Sequence, residues 1–418
     1  MSTGLPTTRA PLADALPSAA PPVMIEGSGL SKVYGLPERR GAALLGGGRE
    51  AVTAAGGTLA VHDVAFTVGR GELFVVMGLS GSGKSTLLRM VNRLVEPTSG
   101  TLRIDGADVT GMDADELREL RNRRISMVFQ HFALFPHRSV RENAAYGLRI
   151  RGVTAKERLE RADAALHQVG LGSHGDARPD ALSGGMRQRV GLARALATDA
   201  DILLMDEPFS ALDPLIKRNM QDLLLELQAE HRRTVVFVTH DLNEAMRIGS
   251  RIMVMKDGVV VQCGTGPEIV SAPADDYVSD FVSDVDRSRV LTASAVMRPA
   301  LLTAHVGEAP AEVLERLANA EAIGVFIVDG DGLLLGVARD QDLADALRDG
   351  EPDLTGRVGD AYHSVRPDRP LADFLHLAGQ GIVPVAVVDT AGRLLGVAPK
   401  AAILSALAQP RRTGRAHA

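Results

Sequence analysis

A glycine-rich stretch, GLSGSGKST, runs from Gly78 to Thr86. Its residue types fit the spacing G-x-x-x-x-G-K-[ST], in which backbone N–H groups turn inward on phosphates. Lys84 would supply a point charge for the β- and γ-phosphates, and the Ser85 hydroxyl would supply a ligand for Mg²⁺. The stretch predicts a nucleotide-phosphate site with the candidate residues Gly78, Leu79, Ser80, Gly81, Ser82, Gly83, Lys84, Ser85 and Thr86.

The elements on either side of this stretch distinguish a phosphate loop from a chance Gly-rich turn. The apolar run ELFVVM precedes it, which predicts a buried strand. A helical pattern follows, because apolar residues recur at intervals that place them on one face: Leu87, Leu88, Val91, Leu94 and Val95. Strand, loop and helix in this order form the context that a phosphate loop requires.

Polar residues at the ends of other apolar runs are candidates for the chemistry. The run ILLMDEP carries Asp206 and Glu207, and successive side chains on a strand point to opposite sides, so the two carboxylates can have separate tasks. Asp206 would support Mg²⁺, and Glu207 would orient or deprotonate an attacking water. His240 in VTHD could donate to the γ-phosphate, although a strand-end histidine is by itself more often a surface residue. Gln130, after another apolar run, is equally weak evidence alone.

The stretch LSGGMRQRVGLARAL, from Leu182 to Leu196, puts flexible backbone at the start of a helical pattern. A loop that happens to break there is one explanation. The other is an anion site, because a helix N-terminus presents unpaired N–H groups and the positive end of the helix dipole. The remaining motifs of the chain decide between the two.

Taken together, these motifs resemble the ATP-binding subunits of ABC transporters. GLSGSGKST, Gln130, LSGGMRQ, LLMDE, SALD and His240 occur in the order of that family, over roughly Ile25 to Val282, and LSGGMRQ is highly specific to it. NRLVEPTSG, MVFQHFALFPH, FSALDPLI and HDLNEAMRIGSRI are similar to the subfamily that serves glycine betaine/L-proline importers. The resemblance implies an α/β, ABC-type P-loop ATPase domain with a helical subdomain, and ATP and Mg²⁺ as cofactors.

The resemblance also implies a dimer. In this family two copies close head-to-tail on two ATP molecules, so Ser183, Gly184 and Gly185 of one copy would cap the γ-phosphate held by Lys84 of the other. Flexible glycines would let the backbone approach that anion closely. Asp213 would lie across the dimer seam.

Further roles follow from the resemblance near the nucleotide and near the membrane. Tyr34 occupies the place of an aromatic that stacks on adenine, with a core residue as the alternative. Gln130 would sense the γ-phosphate, contribute to the Mg²⁺ site and link both to integral membrane permease subunits. After it, Phe132, Leu134 and Phe135 would face the permease, although core packing explains each of them equally well.

From about residue 287 the character of the sequence changes and an internal repeat appears. GVFIVDGDGLLLGVARDQDL begins at Gly324, and PVAVVDTAGRLLGVAPKAAI begins at Pro384, sixty positions later without a gap. Each copy predicts strand, turn, strand and helix. The repeat resembles the pair of CBS modules that the betaine subfamily carries. The predicted fold is therefore an ABC ATPase domain followed by an α/β tandem CBS domain.

The repeat departs from the pattern of CBS modules that bind adenine nucleotides. That pattern has a glycine, a serine or threonine three positions on, and an aspartate at six. The first copy has Gly336, Arg339 and Asp342, whereas the second has Pro399 and Ala402 after its glycine. The hydroxyl is missing from both copies, so sensing of ATP or AMP at the usual positions is not expected.

The two halves of the repeat region also differ in charge. Residues 287–356 carry 6 basic and 12 acidic side chains, and residues 357–418 carry 8 basic and 4 acidic ones. The two modules could simply attract each other, or the basic module could contact anionic lipid headgroups. A cyclic dinucleotide in the cleft between the modules is another candidate ligand.

Composition narrows the setting. The 418 residues suffice for two or three domains, and a net charge of −6 argues against a nucleic-acid binder. Cys263 is the only cysteine, which excludes an intrachain disulfide and fits a reduced compartment; we predict it to be buried beside a strand. No apolar run approaches a membrane span, and no signal peptide is recognisable. We therefore expect a peripheral subunit at the cytoplasmic face of the inner or plasma membrane.

The predicted organisation is a disordered tail, an ATPase domain that contains a Gly- and Ala-rich insertion of unassigned role, two CBS modules and a basic tail. In the same order, the ranges are 1–23, 24–285 with the insertion at 35–58, 290–352, 353–409 and 410–418.

The predicted function is the energy-coupling ATPase of an importer for osmoprotectants such as glycine betaine, proline or other quaternary amines, regulated through the CBS pair. A solute-binding protein would take part indirectly. An importer of amino acids or other small solutes is the nearest alternative, because selectivity lies in other subunits. A soluble ABC ATPase usually carries tandem ATPase domains or a long coiled coil, whereas only about fifty residues separate Gln130 from Ser183. The intact ATP motifs argue against a purely regulatory CBS protein.

Overall fold

The computed structural model describes residues 22–130, 133–381 and 383–408. They form two units: unit one comprises the described residues up to Phe74 together with Ser85–Phe237, and unit two comprises Val75–Lys84 and the described residues from Val238 onward. The predicted tail over 410–418, most of the tail over 1–23, and Phe132 lie outside the described residues. Val23 already belongs to the first strand.

The strands and helices alternate along much of the chain. The strands are β1 Val23–Tyr34, β2 Thr58–Gly69, β3 Leu73–Met77, β4 Ser99–Ile104, β5 Ala107–Asp108, β6 Ile125–Val128, β7 Ile202–Asp206, β8 Thr234–Thr239, β9 Arg251–Lys256, β10 Val259–Gly264, β11 Thr303–His305, β12 Gly324–Val328, β13 Leu334–Arg339, β14 Ser364–Val365, β15 Val385–Val388 and β16 Leu394–Ala398. The helices are α1 Glu38–Leu44, α2 Gly48–Ala54, α3 Lys84–Val91, α4 Ala114–Arg123, α5 Val140–Ala144, α6 Tyr146–Ile150, α7 Ala155–Gln168, α8 Gly184–Ala197, α9 Pro214–His231, α10 Leu242–Ile248, α11 Gly266–Ser271, α12 Asp276–Phe281, α13 Arg287–Val290, α14 Ala293–Val296, α15 Pro310–Asn319, α16 Asp340–Arg348, α17 Leu371–Gln380 and α18 Lys400–Leu407.

Unit one contains an antiparallel sheet and the first part of a buried sheet. The antiparallel sheet has the order β2-β1-β4-β5, and the buried sheet has the order β3-β8-β7-β6 within this unit. β6 and β7 run parallel, with Ile125 opposite Ile202. Every residue of β3, β7 and β8 is buried, which confirms the prediction that these apolar runs are strands covered on both faces.

Helix α3 is shorter than its sequence pattern predicts. It ends at Val91, and Arg93 has a left-handed backbone with φ of 49°. Leu94 and Val95, which the pattern placed on the helix face, therefore lie beyond the helix, and Leu94 is exposed. The left-handed turn stops the helix before the apolar spacing does.

The insertion at 35–58 folds into two short helices, α1 and α2, joined by a 3-10 turn. Val52 of α2 is fully buried against Val33 of β1 and Leu59 of β2. The insertion thus covers an apolar part of the β1–β2 pair that would otherwise face water.

Unit two contains the last residues of β3 beside the β9–β10 pair, in the order β10-β9-β3. The antiparallel β9 and β10 meet at a turn with Asp257 and Gly258 in left-handed conformations. Cys263 lies on β10 and is exposed, so the prediction of a buried cysteine is wrong. β10 is the edge strand here, and Arg251 donates a hydrogen bond to the Cys263 Sγ at 3.5 Å.

The sixty-residue repeat in unit two forms two sheets with the same pairing. In module 1, β11 pairs in parallel with β12 and β12 pairs antiparallel with β13; in module 2, β14, β15 and β16 repeat that arrangement. Helices α16 and α18 follow the third strands. The predicted order of strand, turn, strand and helix is confirmed in both copies.

The modules are completed by segments that cross between them. Arg298, which precedes β11 of module 1, pairs with Val397 of module 2, and Gly359, which precedes β14 of module 2, pairs with Val337 of module 1. Their cores are shared as well, because Phe326 of module 1 packs in one apolar cluster with Val383 of module 2. The two modules therefore fold as one body.

Candidate functional site

The backbone of the glycine-rich loop requires its glycines. Gly78, Gly81 and Gly83 have φ values of 150°, 81° and 95°, in the region that L side chains rarely adopt. A Cβ at Gly78 would also lie 2.2 Å from the Met255 carbonyl oxygen. Hairpin β9–β10 thus supports the loop closely, and Gly258 N donates to Ser82 O at 3.2 Å. The glycine-rich loop therefore connects the end of β3 to the start of α3 through a tight turn.

Two polar side chains are buried in this loop. Lys84 is 4% exposed, and its Nζ donates to the carbonyl oxygens of Gly78 and Leu79, both at 2.9 Å. Ser82 is equally buried, and its Oγ has no hydrogen-bond partner among the described residues. An orphaned hydroxyl next to a buried ammonium is costly unless an anion completes it, so the loop fits a phosphate group.

In unit one, the first turn of α3 meets the end of β7. The Ser85 hydroxyl donates to Asp206 Oδ1 at 2.7 Å, and Arg89 Nη2 donates to Asp206 Oδ2 at 3.0 Å. Asp206 is 4% exposed. Arg89 was not among the predicted site residues, although it follows Ser85 by one helical turn and so shares its face.

The pair of hard oxygens on Ser85 and Asp206 fits Mg²⁺. This ion is usually held by one or two protein oxygens, with waters and substrate phosphates as its other ligands. Over the described ranges no group of three or more His, Cys, Asp or Glu residues could hold a metal by itself.

Glu207 lies just past β7, in a left-handed conformation with φ of 45°. Glu207 is outside the strand, so the prediction that strand alternation separates the Asp206 and Glu207 side chains is wrong. The turn at Glu207 sets the direction of its side chain instead. Ser210 Oγ donates to Glu207 O at 3.0 Å, and Gln130 Nε2 lies 3.4 Å from Ser210 Oγ. The structure thus places Gln130 beside the turn that carries Glu207. A non-glycine residue with positive φ is a strained feature typical of functional sites.

His240 lies in unit two at the end of β8 and is exposed. Asp241 follows it and caps α10, because its Oδ1 accepts from Glu244 N at 3.2 Å. The turn between strand and helix fixes the histidine at the strand end, as the sequence predicted.

Ser183 is the N-cap of α8, and its Oγ accepts from Met186 N at 3.3 Å. The two glycines after it differ. A Cβ at Gly184 would meet nothing within 4 Å, whereas a Cβ at Gly185 would lie 2.5 Å from Ile216 Cγ2. Packing against α9 therefore leaves no room for a side chain at Gly185. Gly184 leaves the helix mouth open.

Two other predicted site residues lie at element ends in unit one. Tyr34 is the last residue of β1, is 40% exposed, and has Lys32 Nζ 5.3 Å from its ring centroid. It is not a core residue, which removes that alternative. Asp213 is the exposed N-cap of α9 and accepts from Ile216 N at 3.1 Å.

In module 1, the aspartate at the expected nucleotide-binding position, Asp342, forms an ion pair with Arg339. Asp342 accepts from Arg339 at three atoms: the backbone N and Nε at 3.0 Å and Nη2 at 3.1 Å. These hydrogen bonds hold the pKa of Asp342 below its ordinary value, against the opposing effect of burial. Pro399 and Ala402 occupy the matching places of module 2.

Comparison with known proteins identifies the class. A family model described as "ABC transporter" matches residues 61–210, and one described as "CBS domain" matches residues 293–349. A dimeric, post-hydrolysis structure of the ATP-binding cassette MJ0796 bound to ADP and Pi is 34% identical, covers 58% of this chain and 98% of that chain, and has a TM-score of 0.50. CbiO1 from Clostridium perfringens is 27% identical over 62% of this chain and 94% of its own, with a TM-score of 0.52. The chain is an ABC-type, ATP-binding ATPase with a CBS region.

Similarity over nearly the full length narrows the class further. The glycine betaine transport ATP-binding protein OpuAA of Bacillus subtilis is 46% identical over 93% of both chains. GbuA of Listeria monocytogenes, for glycine betaine and carnitine, is 44% identical over 90% of this chain and 96% of its own. ProV of Escherichia coli, for glycine betaine and proline betaine, is 46% identical over 84% and 88%. The chain belongs to this family of betaine transport ATP-binding subunits.

Within the described residues, no helix combines the length and the apolar character needed to span a membrane.

Proposed function

We propose that this chain hydrolyses ATP to drive the import of glycine betaine or a closely related quaternary amine. The observation that carries the proposal is the similarity to three betaine transport subunits over 84–93% of the chain, together with a buried phosphate loop. The solute itself is bound by other subunits, so its identity rests on the relatives alone.

In the proposed site, the loop from Gly78 to Thr86 cradles the phosphates and Lys84 neutralises them. Ser85 and Asp206 would hold Mg²⁺, with Gln130 as an additional ligand, and Tyr34 would stack on adenine. The ion would supply charge neutralisation on the phosphate oxygens. The 2.7 Å contact between Ser85 and Asp206 supports their joint role.

Hydrolysis forms a bond between a water oxygen and the γ-phosphorus and breaks the bond to the bridging oxygen of ADP. Glu207 accepts the water proton, and His240 donates a hydrogen bond to the γ-phosphate. The chain of contacts from Gln130 through Ser210 to the Glu207 backbone supports a link between γ-phosphate sensing and the base.

Two copies are needed for a complete site in this proposal. Ser183, Gly184 and Gly185 of one copy cap the γ-phosphate bound by the other, and Asp213 lies at the seam. The open environment of Gly184 and the dimeric state of the MJ0796 structure support this arrangement. The dimer binds integral permease subunits at the cytoplasmic face of the membrane, and a solute-binding protein acts through them.

The CBS pair is proposed as the regulatory part of the chain, with the domains at 24–285, 290–352 and 353–409. Anionic lipid at the basic module or a cyclic dinucleotide between the modules are its proposed inputs. ATP-driven uptake measured against salt in anionic and neutral lipid separates the first input from the second, and uptake with added cyclic dinucleotide tests the second directly.

Reconstitution tests the proposed transport function. The full-length chain, co-expressed with its permease and incorporated into liposomes, should drive ATP-dependent uptake of radiolabelled glycine betaine when the solute-binding protein is present. Excess unlabelled proline betaine should compete, whereas histidine should not. Uptake of a neutral amino acid with no competition from betaines would contradict the solute assignment and favour the alternative importer class.

A further inference from the structure

The segment of residues 133–139, between Gln130 and helix α5, has no regular secondary structure. Its backbone polar groups cannot be satisfied by a helix or a sheet, so other groups must hold them. Ala133, Pro136 and His137 are exposed, which leaves this segment available to a partner. The positions of the exposed residues therefore depend on the side chains that form hydrogen bonds with the backbone of the segment.

Asn143 of α5 is the first anchor. It is fully buried, and its Oδ1 accepts from Phe135 N at 2.7 Å. Its Nδ2 faces three carbonyl oxygens: Phe135 O at 3.1 Å, Arg138 O at 3.3 Å and Ser139 O at 2.9 Å. One amide thus uses its acceptor and both its donors on the segment and the start of α5.

Arg194 of α8 is the second anchor. Its Nη1 donates to Ala133 O at 2.6 Å, and Ala133 has a left-handed backbone with φ of 47°. Burial lowers the pKa of Arg194, yet an arginine stays charged at physiological pH, so this is a charge-assisted hydrogen bond. The contact ties the segment to the helix that begins after Ser183.

The Phe135 ring of the segment packs against neighbouring side chains. The Phe135 ring lies 4.4 Å from the Tyr146 ring, and the Arg138 guanidinium covers both rings at 5.4 and 5.1 Å. Of the two explanations for Phe135, packing within unit one is the one supported by these contacts. The packed rings and the two anchors hold the segment as a rigid body.

We propose that Asn143 and Arg194 are positioning residues for energy coupling. Arg194 follows Ser183 by eleven residues, a distance of about 16 Å along a rigid helix. A displacement of the α8 N-terminus on ATP therefore moves the Ala133 carbonyl, and Asn143 carries that movement through the segment to its exposed residues. This inference rests on the proposed transport function, because it takes the exposed residues of the segment to contact the permease.

The test uses the full-length chain assembled with its permease, and two variants that preserve size or charge. Asn143→Asp keeps the acceptor but removes both donors, and Arg194→Lys keeps the charge but loses the planar fork. Arg189→Lys is the matched control, since Arg189 lies on the same helix and donates to a different carbonyl, Val169 O, at 3.0 Å.

We expect both variants to lower the amount of solute transported per ATP hydrolysed by about tenfold, because each weakens the hydrogen bonds that hold the segment. ATP affinity should stay within about threefold of the wild type, because neither residue belongs to the nucleotide site. Hydrogen exchange of the segment should accelerate in both variants and stay unchanged in Arg189→Lys. An unchanged transport ratio, or unchanged exchange in the segment, would overturn the proposal.

The exchange measurement also separates this inference from the proposed function. If the wild-type assembly transported no solute, the proposed function would fail, whereas the exchange data would still decide whether the two anchors hold the segment. If one variant failed to assemble, the other would carry the test alone, because each anchor is expected to act on the same segment.

Discussion

The two CBS modules and the phosphate loop differ in how their polar side chains are hydrogen-bonded. In module 1, Asp329 Oδ1 accepts from Asp331 N at 2.9 Å and from Leu333 N at 2.8 Å. In module 2, Asp389 Oδ1 accepts from Ala391 N at 2.8 Å and from Arg393 N at 2.9 Å. The aspartate that recurs in the repeat thus builds the same hairpin turn twice.

The recurring glycines of the repeat have structural reasons as well. A Cβ at Gly336 would lie 2.5 Å from Gly359 O, and a Cβ at Gly396 would lie 2.6 Å from Arg298 O. These are the sites where a crossing segment pairs with each module. The aspartate and glycine that recur in both modules therefore serve the fold. Arg339 and Asp342 of the first module do not recur in the second.

The phosphate loop contrasts with this. Ser82 Oγ is buried without a partner among the described residues, Lys84 is buried, and Glu207 has a left-handed backbone without being glycine. A buried hydroxyl without a partner and a left-handed backbone at a non-glycine residue are costly in a protein without a ligand. The comparison indicates that the features suited to ATP lie in the phosphate loop and at Glu207, whereas the residues that recur in the CBS pair serve its fold.

The largest effect should come from the base. Glu207→Gln keeps the size of the side chain but removes its proton acceptor, so we expect the ATP hydrolysis rate to fall by about 10²-fold or more. ATP binding should persist, and closed dimers should accumulate. Glu226→Gln, at an exposed position of α9, is the matched control. Near-normal hydrolysis by Glu207→Gln would remove this residue from the role of base.

A smaller but still large effect is expected at the mouth of α8. Ser183→Arg removes a cap worth about 1 kcal/mol and fills the open space at Gly184, so hydrolysis by the assembled transporter should fall at least about tenfold. Thr154→Arg changes the N-cap of α7 in the same way and should leave hydrolysis unchanged. Mixing Ser183→Arg with Lys84→Ala chains creates dimers with one intact site. Normal hydrolysis by Ser183→Arg alone would contradict the capping role.

The smallest effect should come from the ion pair of module 1. Asp342 is partly exposed, so Asp342→Asn should cost about 0.5 kcal/mol of unfolding free energy and leave ATP hydrolysis unchanged. Because its pKa is lowered from 3.8, the contribution is present at neutral pH and is lost as the pH falls through the lowered pKa. Thermal melts of wild type and Asp342→Asn should therefore differ at pH 7 and converge as the pH falls through the lowered pKa of Asp342. Asp331→Asn is the control, and a large loss of hydrolysis in Asp342→Asn would refute the structural role.

The sequence was sufficient for most of the fold and for the motif residues, because buried strands and a phosphate loop leave strong local patterns. It was insufficient where distant residues decide the outcome. Gly185 is required by Ile216 of another helix, and Cys263 is exposed because its strand lies at an edge. The exchange of segments between modules, as in the pairing of Arg298 with Val397, joins residues about a hundred positions apart and leaves no local pattern.

The same reason explains the site residues that the sequence missed. Arg89 is linked to Asp206 across more than a hundred residues, and Asn143 looks like an ordinary polar residue in a helix until its four contacts are seen. Neither position has a distinctive local pattern.

Nucleotide stoichiometry tests the contrast between the two regions most directly. Equilibrium binding of a non-hydrolysable ATP analogue with Mg²⁺ to the full-length chain should give one site per chain, because the phosphate cradle found among the described residues lies in the ATPase region. Lys84→Ala should abolish that site, whereas Asp342→Asn should leave it intact. A second site in the wild type, or a full site that survives in Lys84→Ala and disappears in Asp342→Asn, would contradict the account by placing nucleotide chemistry in the CBS pair.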